Sequence, residues 1–323
     1  MQKKLRYLQV YSGIAILFVV LIHSNAYYLH NILNLSLSIE AGNMFYLIDN
    51  LLHVAVPMFI FIAGYKYEMT KKNKSLRKFY KDKILNIGKP FIIISLCFII
   101  PILILSITKK ILLNQYVDVI FYIEIFIQRF IKVIIGYNEV YQLWYIPMYM
   151  LIVLLYPIIC KYIKSNKNRL TLFLLITIVQ QLGSLYYKWM KFHPFDFVYY
   201  FCLFELGVIF FNYIKSKRQI SNKIFILYII ILIVSTIIKD NIISSVFNQI
   251  LLNPISCITF YKISVKFSDI RILNYIGRYS FYIYLFHEPI FMKYIAKFID
   301  RMGLYNNWLP IPIVGIGGMI MSL

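Results

Sequence analysis

The chain alternates long apolar runs with short polar, mostly basic breaks. About 20 consecutive apolar residues are what a helix needs to cross the hydrocarbon core of a bilayer. Cutting the runs wherever charge interrupts them predicts helices over 8–29, 44–65, 91–108, 143–160, 170–187, 197–214, 223–238, 243–261, 276–292 and 309–323. The fold class that follows is all-α, a polytopic transmembrane bundle of about ten spans. Val117 to Ile135 resists that scheme, because an apolar run there holds Asp118, Glu124, Arg129 and Lys132. It reads as an amphipathic helix lying on the outer surface. The last run, Leu309 to Leu323, is short and glycine-rich, as a thin or tilted final helix would be. No repeat of fixed period and no linker divides the chain, so residues 1–323 read as one integral membrane domain.

Orientation follows from where the cations fall, since positive residues are held back on the cytoplasmic side. With the N-terminus inside, the inner segments hold 23 Lys and Arg and the outer segments 10. The N-terminus is therefore expected in the cytoplasm. Met1 to Leu21 has the basic start of a signal peptide but no small-residue cleavage site, and reads as a retained first span.

Composition agrees with lipid as the solvent. The hydrophobic fraction is 61% and the mean hydropathy +0.72, more apolar surface than one water-facing globule can hide. The net charge of +21 would suit a nucleic-acid binder, but the cations sit in clusters between apolar runs and form no continuous basic face. Membrane topology explains the charge without a polyanion. Cys97, Cys160, Cys202 and Cys257 lie in or beside separate apolar segments with no paired spacing, so neither a disulfide framework nor a metal site is expected.

In a bilayer the informative residues are the ionisable ones, because each costs a few kcal/mol at the centre unless paired or hydrated. They are His23 in the first span, Asp49 and His53 in the second, Glu205 in the sixth, and His287 with Glu288 in the ninth. At about 1.5 Å rise per residue all of these fall in the middle or outer half of the membrane. One reading gathers them around a polar cavity in which a proton moves during chemistry or transport. The other makes each a local hydrogen bond between helices. His30 and His193 lie outside the spans and read as solvated loop residues.

The inner segment Lys66 to Lys89 combines nine cations with Tyr67, Phe79 and Tyr80. Retention inside and contact with anionic lipid account for such a run, at about 1 kcal/mol per charge. The same cations, Lys66, Lys81, Lys83 and Lys89 among them, are candidates to receive the phosphates of a cytoplasmic nucleotide-bearing donor.

Several blocks together resemble the membrane-bound acyltransferase family 3, bacterial O-acyltransferases acting on cell-surface glycans. SGIAILFVVLIHS, Ser12 to Ser24, is similar to the family's opening helix with its Arg-x10-His motif. VPMFIFIAGY, Val56 to Tyr65, and FYKDKILNIGKP, Phe79 to Pro90, are similar to its second span and the basic lead into the third. LWYIPMYMLIVLLYP, Leu143 to Pro157, resembles its Trp-containing fourth span, and IGRYSFYIYLFHEPI, Ile276 to Ile290, its late span ending in Tyr-Leu-x-His. One departure stands out: Ser12 occupies the position where the family usually has Arg.

The resemblance implies transfer of an acyl group, usually acetyl from acetyl-CoA, from the cytoplasm to a hydroxyl of a cell-surface polysaccharide or glycolipid. The expected setting is the bacterial cytoplasmic membrane, with no metal and no nucleic acid involved. It also implies that His23 is the acid/base residue, with His287 and Glu288 as cavity residues; the cavity reading adds Glu205 or His287 to hold the ring or the acceptor. Two other classes fit the same residues. An exporter of surface glycan would use them as a proton relay, although the paired, Gly/Pro-interrupted halves common in transporters are missing. A structural subunit that recruits a partner enzyme would leave the intramembrane histidines without a purpose.

Overall fold

The structure, a computed structural model, describes residues 5–32, 47–71, 75–136, 141–186, 197–238, 241–287, 292–303 and 310–322. The described residues are helical with no strand, an all-α polytopic bundle. Among the described residues six helices are long and apolar enough to cross a membrane, and two further apolar helices, Lys223–Ile237 and Ile313–Ser322, are shorter. The surface is covered with Ile, Leu and Val, as in Ile92, Ile93, Ile104 and Leu105, each well exposed, which suits a bundle whose outer solvent is lipid. The protein is thus a multi-pass membrane protein.

Helix α1 (Arg6–Ile32) and helix α2 (Ala55–Thr70) open the chain. The third span departs from expectation. Its basic lead is not a loop but a helix, α3 (Leu76–Lys83), started by the Ser75 side chain accepting from the Lys78 amide. It runs through a π-helical turn, Ile84–Gly88, into α4 (Lys89–Leu112), giving one helical column from Leu76 to Leu112. Extra residues in a turn of this kind rotate the helix face, and such turns often mark functional positions. The stretch Val119–Ile135 forms the predicted helix, α5, capped by Asp118 and ended by Gly136 in the left-handed region (φ 84°). It packs against α4.

Helices α6 (Tyr145–Tyr162), α7 (Asn166–Tyr186), α8 (Phe197–Lys215) and α9 (Lys223–Ile237) follow. After α10 (Asn241–Phe247) and a second π-helical turn comes α11 (Asn253–Lys266). The predicted span 276–292 is broken: α12 (Arg271–Arg278) and α13 (Ser280–Phe286) meet at a bend at Tyr279. Helices α14 (Lys293–Arg301) and α15 (Pro310–Ser322) end the chain.

Small residues set the closest crossings, as they do where lipid supplies no hydrophobic push between helices. Gly64 and Gly207 let α2 and α8 form the most extensive helix pair: a methyl at either would overlap a backbone carbonyl, that of Phe204 or of Phe61. Gly13 and Gly277 do the same for α1 and α12, where a methyl would strike the carbonyl of Leu273 or of Gln9. Hydroxyl and amide bonds lock the rest. Tyr65 Oη lies 3.0 Å from Tyr7 Oη and 3.2 Å from Tyr261 Oη, joining α1, α2 and α11. Gln181 donates to Gln249 at 2.9 Å between α7 and the second π-helical turn.

Candidate functional site

A cavity of about 620 Å³ opens among α1, α2, α3, α6 and α13. Its polar lining is largely basic: Lys66 and Thr70 come from α2, Asp82 and Lys83 from α3, and Asn86 from the π-helical turn. Tyr145, Ile146, Phe281 and Tyr284 belong to its aromatic and apolar lining. Ser12 lines the wall from α1 and donates its own hydroxyl to the carbonyl of Leu8 at 3.0 Å, so this wall carries no charge. The lysines lining the cavity come from α2 and α3 instead.

Helical spacing explains which side chains reach it. Tyr145, Tyr149 and Val153 recur at every fourth position on one face of α6, and Ser280 and Tyr284 do so on α13. These rings form a ladder. Lys83 Nζ donates to Tyr149 Oη at 2.6 Å and sits 5.2 Å from the centre of the Tyr149 ring, a cation–π arrangement. Tyr149 stacks on Tyr145 at 5.7 Å, and Tyr145 meets the ring of Tyr284 edge-on at 5.6 Å. Tyr284 lies 6.1 Å from the ring of His287, and His287 lies 5.1 Å from the ring of His23.

The two histidines, more than 260 residues apart in the chain, therefore meet one ring past Tyr284 of the cavity lining, and neither lines the cavity itself. The Gly13 and Gly277 crossing makes this possible, because it brings the backbones of α1 and α12 into contact below them. His287 is fully buried, and its Nδ1 lies 3.0 Å and 2.9 Å from the carbonyls of Ile283 and Tyr284. Its Nε2 has no hydrogen-bond partner among the described residues.

The other predicted residues fall elsewhere. Glu205 is fully buried, but both of its oxygens are taken: Tyr156 donates at 2.6 Å, and Arg169 donates from Nε at 2.8 Å and from Nη2 at 3.1 Å. Arg169 is itself held by the carbonyls of Ile163 and Lys164 and by Asn166. Glu205 is thus committed to Tyr156 and Arg169. Of the four predicted phosphate ligands, Lys66 and Lys83 line the cavity, whereas Lys81 and Lys89 are exposed outside it. Asp49 and His53 pair with each other at 3.2 Å, both half exposed. Glu288, His193 and the side chain of His30 lie outside the described residues.

Sequence reasoning missed the tyrosine ladder and the polar pair Asp82 and Asn86. With 29 tyrosines in the chain, only the i, i+4 repeat at Tyr145 and Tyr149 beside the Trp144 block offered a signal. The bend at Tyr279 gave none, since the apolar run continues through it.

A protein-family model described as an acyltransferase domain matches residues 6–323, nearly the whole chain. No curated protein and no solved structure matches it.

Proposed function

Given that the chain belongs to acyltransferase family 3, we propose that it moves an acetyl group from cytoplasmic acetyl-CoA to a hydroxyl of a glycan outside a bacterial cytoplasmic membrane. The observation that carries the reading is the chain of ring contacts that links the cavity to the histidine pair. Lysines line the cavity, and the ladder runs from Lys83 through Tyr149, Tyr145 and Tyr284 to His287 and His23. That polarity matches a donor with a polyanionic head and a thin, neutral thioester arm.

In this reading Lys66 and Lys83 receive the donor phosphates, each as a compact charge rather than a planar fork. Their place on α2 and α3 supplies the positive charge that Ser12 leaves out of α1. The arm passes between Tyr149, Tyr145 and Tyr284 and brings the thioester to the histidine pair. The acceptor oxygen attacks the carbonyl carbon, its proton passes to an imidazole, the C–S bond breaks, and the thiol leaves with a proton. General base catalysis of this kind contributes on the order of 10²–10⁴-fold. Burial of His287 keeps water from competing with the acceptor for the thioester. Glu205 belongs to the frame and not to the chemistry, since Arg169 and Tyr156 occupy it.

The test has two arms. Purified protein in lipid nanodiscs is assayed for binding of labelled acetyl-CoA, and envelope polysaccharide from cells with and without the protein is compared by mass spectrometry. Binding together with a gain of O-acetyl esters on sugar hydroxyls is the expected result. An unchanged polysaccharide and no acetyl-CoA binding would leave glycan export as the better account.

A further inference from the structure

The two histidines differ in a way that assigns them unequal roles, and the assignment rests on the acyl-transfer reading above. His287 caps α13, its backbone N–H donating to the carbonyl of Ile283. Its Nδ1 lies within hydrogen-bond distance of two carbonyls at that helix end, those of Ile283 and Tyr284. A carbonyl oxygen only accepts, so Nδ1 must carry the hydrogen, and in the neutral ring Nε2 must then hold the bare lone pair. A ring protonated at both nitrogens would be a buried cation, and none of its hydrogen bonds goes to a carboxylate.

A buried acceptor without a donor is costly, and in a native structure each such group calls for a reason, a catalytic role among them. His287 Nε2 is one, fully buried and unpartnered among the described residues. It lies on the ring that neighbours Tyr284, a residue of the cavity lining, at 6.1 Å between ring centres. We propose that His287, through Nε2, is the general base that takes the acceptor's hydroxyl proton, with His23 as the neighbouring ring that positions the acceptor. The backbone anchor fixes both the tautomer and the direction of the lone pair before substrate arrives. This is the preorganisation that efficient proton transfer requires.

The step balances on this one nitrogen. The acceptor O–H bond breaks and its proton goes to Nε2, while the oxygen forms a bond to the thioester carbonyl carbon. The C–S bond then breaks, Nε2 returns the proton to the leaving sulfur, and the ring ends neutral as it began.

The test is His287→Asn in the full chain in nanodiscs. An asparagine amide nitrogen can take over the Nδ1 hydrogen bonds to the helix end, yet nothing replaces Nε2. Acetyl-CoA labelled in the acetyl group is the donor, and envelope polysaccharide extracted from cells lacking the protein is the acceptor. H287N is expected to bind acetyl-CoA as the native chain does and to lose turnover on the order of 10²–10⁴-fold. His23→Asn is expected to lose less turnover and to raise the KM for acceptor. H287N with native turnover, or H23N as the more damaged of the two, would overturn the assignment. Native protein that binds no acetyl-CoA would overturn the acyl-transfer reading itself, a result distinct from either. Should H287N fail to fold, carbethoxylation of the native chain with peptide mapping decides. Loss of turnover tracking modification of His287, and protection by bound acetyl-CoA, supports the proposal; full turnover with His287 modified refutes it.

Discussion

Removing either side of the Arg169–Glu205 pair should destabilise the bundle strongly, and removing both should not. The two side chains are 5% and 0% exposed, so water screens neither charge, and breaking a buried pair by deleting one partner costs about 3–5 kcal/mol. The two deletions are not equivalent. Arg169→Met leaves Glu205 with Tyr156 as its remaining hydrogen-bond donor, whereas Glu205→Leu leaves Arg169 bonded to Ile163, Lys164 and Asn166. The first therefore belongs near the upper end of that range, about 5 kcal/mol, and the second near about 3 kcal/mol. Combining them removes both buried charges, and the double variant should recover to within about 1 kcal/mol of the native chain or exceed it. Equilibrium unfolding in mixed micelles, titrated with a denaturing detergent and read by circular dichroism, measures all three. Turnover per folded molecule should stay close to native, because the pair reaches the cavity only indirectly, through the Tyr156 ring against Tyr67 and Phe204. Single variants each costing less than about 1 kcal/mol, or a double variant costing the sum, would refute the reasoning.

Other consequences can be read in parallel. Lys83→Met removes a charged hydrogen-bond donor from the cavity and should weaken acetyl-CoA binding by roughly 1.5–3 kcal/mol, about 10- to 150-fold, by isothermal titration. Lys81→Met and Lys89→Met, both outside the cavity, should leave it near native, and equal losses in all three would mean that the surface field and not the cavity binds the donor. Gly277→Ala places a methyl against the Gln9 carbonyl and must push α12 from α1, at a cost of about 1–3 kcal/mol. Its turnover should fall further than its folded fraction, as the histidines are drawn apart; a native specific activity would disconnect the crossing from the site.

Much of the architecture was legible because lipid imposes it: a backbone in hydrocarbon must be helical and long, so apolar length alone located α1, α6, α8 and α11. Charge misled where it lay on a helix. The lysines from Lys66 to Lys89 read as an inner segment between spans, and α3 with its π-helical turn carries the third helix back to Leu76 within it. Continuity misled in the opposite sense, since nothing in the run Ile276 to Ile290 announces the bend at Tyr279. His23 and His287 stand out in the sequence by their cost in lipid, and the structure places their rings 5.1 Å apart. The same argument chose Glu205 but could not name its partner, since Arg169 was counted with an inner loop and their contact spans 36 residues.

The account stands on a single passage from the lysine mouth to the histidine pair. Its most direct test is the position of a bound, non-hydrolysable acetyl-CoA analogue, determined by cryo-electron microscopy of the protein in nanodiscs. The account expects phosphates beside Lys66 and Lys83, the arm against Tyr145 and Tyr284, and the acetyl carbonyl within hydrogen-bond reach of the histidine pair. An analogue bound with its acetyl end away from His23 and His287, or outside the cavity altogether, would contradict it.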